Sequence, residues 1–316
     1  MNARLGLLST LAALVVGLLT GSTMVVSRFL LESTDPVSLA YMRYVVGAVV
    51  LIPAALLWCP PHIRMADLLK MLGIGVGQFG LLMILLNCGI AMTSSGIAAI
   101  LFSTIPLAAL AFGALLGQEQ ITIRRLVIIL IAVAGVTLAV GTTDDLAPGA
   151  ATYLGVAAVL GAACLGGACN VLYRPLLRRY PALLVTAVSM FGSVVFLGGY
   201  IIVDGLLLNG SIRGVSFDLA DWVAFAYLGL GSSFGILLWI WALKHASASK
   251  VTAFQTTSPI AAALLGVLWL GEQVTPSTLM GLGLVAAALV ALSLLHDGSV
   301  RPTSERTQPV GGWSTS

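Results

Sequence analysis

The chain has 316 residues, of which 59% are hydrophobic and only 9% charged, with a net charge of +3. A soluble domain carries about 25% charged residues, so this surface would offer water too few ionic groups. Disordered chains, collagen-like repeats and disulfide-stapled secreted folds are excluded, and an integral membrane protein remains.

A helix needs about 20 apolar residues to cross roughly 30 Å of hydrocarbon. Ten such runs occur in chain order: 5–27, 37–58, 71–90, 95–117, 126–141, 153–173, 182–203, 222–243, 251–270 and 277–295. Together they hold one charged side chain, Arg43; the other charges fall between or outside them. The runs are continuously apolar, whereas the strands of a membrane barrel alternate. The first run follows Arg4 and imitates a signal peptide, but it exceeds the core of about 7–15 residues that a signal needs. It is expected to be the first span.

Lysine and arginine fix the expected orientation. With the N-terminus inside, twelve cations fall on the cytoplasmic side and two, Arg28 and Arg213, outside. Asp144, Asp145, Asp204, Asp218 and Asp221 fall outside as well. Both termini are expected in the cytoplasm, in a multi-pass protein of a bacterial-type inner membrane.

Residues 94–122 and 247–275 align at a fixed offset of 153, with ten of 29 positions identical. Thr104 pairs with Thr257, Pro106 with Pro259, Gly113 with Gly266, Glu119 with Glu272 and Gln120 with Gln273. Upstream, "SRFLLES" at 27–33 echoes "YRPLLRR" at 173–179, and Phe79-Gly80 echoes Phe234-Gly235. The fold class read from this is all-α, with ten transmembrane helices arranged as two repeats of five. Five is odd, so the second repeat enters the membrane inverted, an architecture typical of secondary transporters. The expected boundaries are 1–150 and 151–296 for the repeats, and 297–316 for a disordered cytoplasmic tail.

The helix pairs ending "PLAALAFGALLGQEQIT" and "PIAAALLGVLWLGEQVT" resemble the EamA family of the drug/metabolite transporter superfamily. "FGILLWIWALKHASASKVTAFQ" resembles that family's junction of the eighth and ninth helices. "PVSLAYMRYVVGAVVLIPAAL" is similar to its second helix, arginine included. The resemblance spans roughly residues 5–295 and implies a ten-helix transporter of small metabolites, often an exporter. One departure is Thr20, which stands before Gly21-Ser22 where the family often has tryptophan.

Several residues have both a functional and a plain structural explanation. Arg43 lies about 10 Å into the second span at 1.5 Å per residue. A charge there costs at least ~2.5–3.5 kcal/mol, so it either faces an anionic substrate group or serves structurally by snorkelling or binding carbonyls. Glu119 and Glu272 end the fourth and ninth spans at opposite faces, as coupling carboxylates or as caps of the turns. Pro106 and Pro259 favour kinks in those spans. Ser103, Thr104, Gln255, Thr256 and Thr257 precede them, as a polar site lining or as ordinary interhelical contacts. Gln78, Asn87, Asn170 and Tyr173 each need a partner or water. Trp239 and Trp241 are expected on opposite sides of the eighth span, one as a cavity wall or both as an interfacial belt. Gly73, Gly75, Gly77, Gly229 and Gly231 suit close helix contact rather than phosphate binding.

The spans hold no Asp, Glu or His, which argues against a deep proton relay and against an intramembrane hydrolase. Cys59, Cys88, Cys164 and Cys169 show no metal-ligand spacing, and His62, His245 and His296 fall outside the spans. The expected function is a secondary transporter, an exporter or facilitator of small organic metabolites such as amino acids, working by alternating access. A channel or lipid scramblase is the alternative, and an intramembrane enzyme the weaker one. The expected site comprises Arg43, Gln78, Ser103, Thr104, Asn170, Trp239, Gln255 and Thr256. Pro106, Pro259, Glu119 and Glu272 take structural or gating roles. The expected partners are a small-molecule substrate and the bilayer, with no nucleic acid, cofactor, metal or enzymatic activity.

Overall fold

A computed structural model describes residues 3–59, 63–117, 122–140, 150–207, 218–245, 257–273 and 275–297. The described residues are helical almost throughout and include no strand. Ten spans are visible in order. The first two are α1 (Ala3–Leu30) and α2 (Pro36–Trp58). The third joins α3 (Met65–Gly75), a π turn (Val76–Leu81) and α4 (Leu82–Met92). The fourth joins α5 (Ser95–Phe102) to α6 (Ile105–Leu115), and the fifth is α7 (Ile123–Val140). The rest are α8 (Ala150–Leu177), α9 (Ala182–Leu207), α10 (Leu219–His245), α11 (Thr257–Leu270) and α12 (Pro276–Asp297). Seven spans are long and apolar enough to cross a membrane, and shorter apolar helices cover the fifth, ninth and tenth.

Local chemistry sets the ends. Asp35 enters α2 by accepting the Val37 and Ser38 N–H groups at 2.9 and 3.0 Å, with Pro36 in the first turn. Ser94 caps α5 through the Ile97 N–H at 3.2 Å. Gly117 and Gly271, at φ 66° and 65°, turn the chain out of α6 and α11 in the left-handed region open to glycine. The fourth span goes further than the kink expected at Pro106, because its helix stops at Phe102 and restarts at Ile105. Pro106 then sits in the first turn of α6, where its missing N–H costs nothing.

The spans pack in reciprocal sets. α1 lies on α10 and α11, as α8 lies on α4 and on α5–α6. α2 lies on α10, as α9 lies on α3 and the π turn. Spans one, two, eight and nine thus form one bundle, and spans six, seven, three and four its counterpart. α2–α9 and α5–α11 join the two, and the fifth and tenth spans, α7 and α12, pack on each other and touch α5.

Single residues carry the same symmetry. A Cβ on Gly21 would stand 2.8 Å from Ala261 Cβ, and one on Gly167 would stand 2.6 Å from Ala108 Cβ. Gly21 and Gly167 are 146 apart, while Ala108 and Ala261 are 153 apart. Gly229 meets the backbone at Arg43, Gly75 that at Ser189, and Arg43 and Ser189 are again 146 apart. The chain is therefore ten helices in two inverted repeats of five. Both described ends, Ala3 and Asp297, lie on one face, called here the terminal face. The connections at 31–35, 93–94 and 271–273 mark the far face.

Candidate functional site

Arg43 is placed by α2 against α10 and is 8% exposed. Its Nε donates to Ser232 Oγ at 2.9 Å, and Ser232 Oγ donates in turn to the Leu228 carbonyl at 2.6 Å. The guanidinium thus neither snorkels nor caps a helix end; a hydroxyl from the neighbouring span orients it. Among the described residues no carboxylate pairs with it. Its two terminal nitrogens, which can donate four more N–H bonds, make no hydrogen bond among the described residues.

The surroundings are polar in patches. Ser233 Oγ donates to the Gly229 carbonyl at 2.9 Å and lies 3.4 Å from that of Gly47. Tyr44, next to Arg43, meets Phe79 of the π turn edge-on, with ring centroids 5.3 Å apart. Gln78, in the same turn, buries Oε1 without a hydrogen-bond partner, as does the fully buried Ser193 with its Oγ. A π turn makes room for one extra residue in a helix and commonly marks a functional position. Here it brings Gln78 and Phe79 to the level of Tyr44.

The other candidates are placed more plainly. Ser103 and Thr104 occupy the break in the fourth span, where their hydroxyls donate to the Ile100 and Leu101 carbonyls at 2.7 and 2.6 Å. Pro259 is buried in the first turn of α11. Asn170 is exposed on α8. Trp239 and Trp241 each pack, with Leu238, against Ala12 and Ala13 of α1. Asn87 spends its Nδ2 on the Pro36 carbonyl at 3.0 Å. Gln255, Thr256 and Glu119 lie outside the described residues, as does the tail beyond Asp297.

Glu272 is a cap. Its Oε1 accepts the Ser95 N–H at 2.8 Å and its Oε2 the Ser95 Oγ at 2.7 Å, holding the N-terminal end of α5. Three partners escaped the sequence reading: Ser232, Ser95 and Arg28, whose Nη1 donates to the Ile90 and Ala91 carbonyls at 2.6 Å each. The one signal for Ser232 is the Gly-Ser-Ser at 231–233, which interrupts an otherwise apolar span.

Comparison with known proteins agrees with this architecture. The model of the EamA-like transporter family matches residues 7–141 and 153–294, one match per repeat. An uncharacterized transporter of Archaeoglobus fulgidus is 26% identical over 82% of this chain and 88% of its own. The inner membrane transporter YedA of Escherichia coli is 25% identical over 87% of each chain. A protein of Streptantibioticus cattleyicolor named "probable terminal-alkyne amino-acid exporter" is 29% identical over 66% of this chain and 67% of its own. A solved crystal structure covers 93% of this chain and 100% of its own with a TM-score of 0.64 at 16% identity, a likeness of fold alone.

Proposed function

The chain belongs to the EamA-like transporter family, a multi-pass membrane transporter of small molecules, and from that membership we propose a carrier for solutes bearing a carboxylate, with amino acids foremost. The observation that carries this is Arg43: a buried guanidinium, oriented through Nε by Ser232, with no acidic partner among the described residues. A buried charge without a counter-ion is costly, and a carboxylate accepting from both terminal nitrogens offsets that cost in a bidentate pair. The naming of one relative as an amino-acid exporter supports the same substrate class.

Gln78 and Phe79, presented by the π turn beside Tyr44, complete the wall with an amide and a ring. Repeats 1–150 and 151–296 enclose this site near the midplane, and alternating access exposes it to each face in turn. Glu272 is occupied by Ser95 with both oxygens, so flux proceeds by facilitated diffusion or exchange rather than by proton coupling through that carboxylate. The cation bias puts the terminal face in the cytoplasm.

The experiment is counterflow in proteoliposomes across a panel of amino acids and related acids, with and without a pH gradient. The parent is expected to show saturable, gradient-insensitive exchange of at least one carboxylate solute. Arg43→Ala is expected to weaken apparent affinity at least about tenfold, the loss of one charge-assisted pair. Exchange unaffected by Arg43→Ala, or uptake driven by protons, would overturn the reading.

A further inference from the structure

Three hydrogen-bonded contacts cross between the two bundles at the far face. Arg28 of α1 donates to the Ile90 and Ala91 carbonyls at the end of α4. Glu272, after α11, accepts from Ser95 at the start of α5, and Asn87 of α4 donates to the Pro36 carbonyl at the start of α2. Alongside them Phe29 stacks on Trp269 with centroids 6.4 Å apart and planes 7° apart. The α4–α5 corner of one bundle is therefore held by a cation and an anion from the other.

Both charges match the helix ends they touch. Arg28 meets the C-terminal carbonyls of α4, where the helix dipole is negative, and Glu272 meets the N-terminal end of α5, where it is positive. The carboxylate also has a socket. A Cβ on Gly266 would lie 2.5 Å from Glu272 Oε2 and 2.8 Å from Ser95 Oγ, so only glycine leaves room for the pair. Ser95 itself is fully buried. A cap serving its own helix alone would need no partner from the opposite bundle and no cleared space beside it.

We propose that Arg28 and Glu272 form a latch that holds the transporter closed at the far face and releases the α4–α5 corner when the site opens to that side. The proposal rests on the carrier reading, because only a carrier must part the bundles at one face while they stay joined at the other. The latch contacts number a few charge-assisted hydrogen bonds, enough to bias two conformations and few enough to break in each cycle.

The test is sided labelling. Ser232→Cys serves as reporter at the mid-membrane wall, in a background with Cys59, Cys88, Cys164 and Cys169 changed to serine, reconstituted in one orientation. A membrane-impermeant maleimide is applied from either face. Glu272→Ala and Gly266→Ala are each expected to raise the ratio of far-face to terminal-face labelling about tenfold, the factor set by losing one charged hydrogen-bond partner. Glu272→Gln, which keeps one acceptor, is expected to fall between. An unchanged ratio in both variants, or equal gains from both faces as for a merely loosened fold, would overturn the latch. Counterflow of the parent is measured separately. Its failure for every carboxylate solute would overturn the substrate reading, while the labelling ratio still decides the latch.

Discussion

Arg43 stands alone as a charge among ten apolar runs, and that isolation made it readable before any coordinates. What the sequence did not reveal was its partner, because Ser232 lies 189 residues away and serines are ordinary in membrane helices. Ser95 was hidden for a similar reason, since Glu272 reaches it across 177 residues. Glycines show the opposite case, where residue type and contact agree. Gly21 and Gly167 each admit a neighbouring helix to within backbone contact, Gly21 against α11 and Gly167 against α6. Gly21→Val and Gly167→Val are expected to destabilise the protein by about 1–3 kcal/mol each through overpacking. Gly199→Ala, at a position with nothing within 4 Å of a new Cβ, is expected to change little. Thermal unfolding in detergent measures all three, and equal melting for Gly199→Ala and Gly167→Val would count against the packing account.

At the level of elements, hydropathy located every span, and most of the helices, such as α1, α8 and α10, extend past the apolar runs because polar end turns can leave the hydrocarbon. The break at Ser103-Thr104 was partly legible, since Pro106 announces a disturbance two residues on. The π turn at Val76–Leu81 was not legible, because no proline occurs in residues 65–92 and the only amides in the apolar run 71–90 are Gln78 and Asn87. A π turn holds one residue more than the α-helix around it, so deleting one residue there lets α3 and α4 join without rotating the flanking turns. Deletion of Val76 is therefore expected to leave the melting temperature within a few degrees of the parent while sharply reducing counterflow. Full activity in the deletion would show that the turn has no part in the site.

For the whole molecule, the offsets of 146 and 153 turned out to describe contacts as well as letters. The reciprocal packing of α1 on α11 and α8 on α6 is what an inverted repeat produces when its halves exchange partners. The repeat could be read because proline and glutamate are rare enough in these apolar runs to be informative, while matches of leucine, alanine and glycine are not. The proposed orientation rests on charge bias alone, and it predicts that a reporter fused after residue 296 is active only in its cytoplasmic form. Periplasmic activity from that fusion would invert the assignment of both faces.

The central claim, that Arg43 receives a carboxylate, is tested most directly by competition between an amino acid and its carboxyl amide. The two solutes match in size and differ in the one group that the guanidinium would hold. Both compete for counterflow of the same labelled solute in proteoliposomes of the parent and of Arg43→Ala. The parent is expected to prefer the carboxylate at least about tenfold over the amide, and Arg43→Ala to lose most of that preference while staying folded. An undiminished preference in Arg43→Ala would place carboxylate recognition elsewhere and contradict the account.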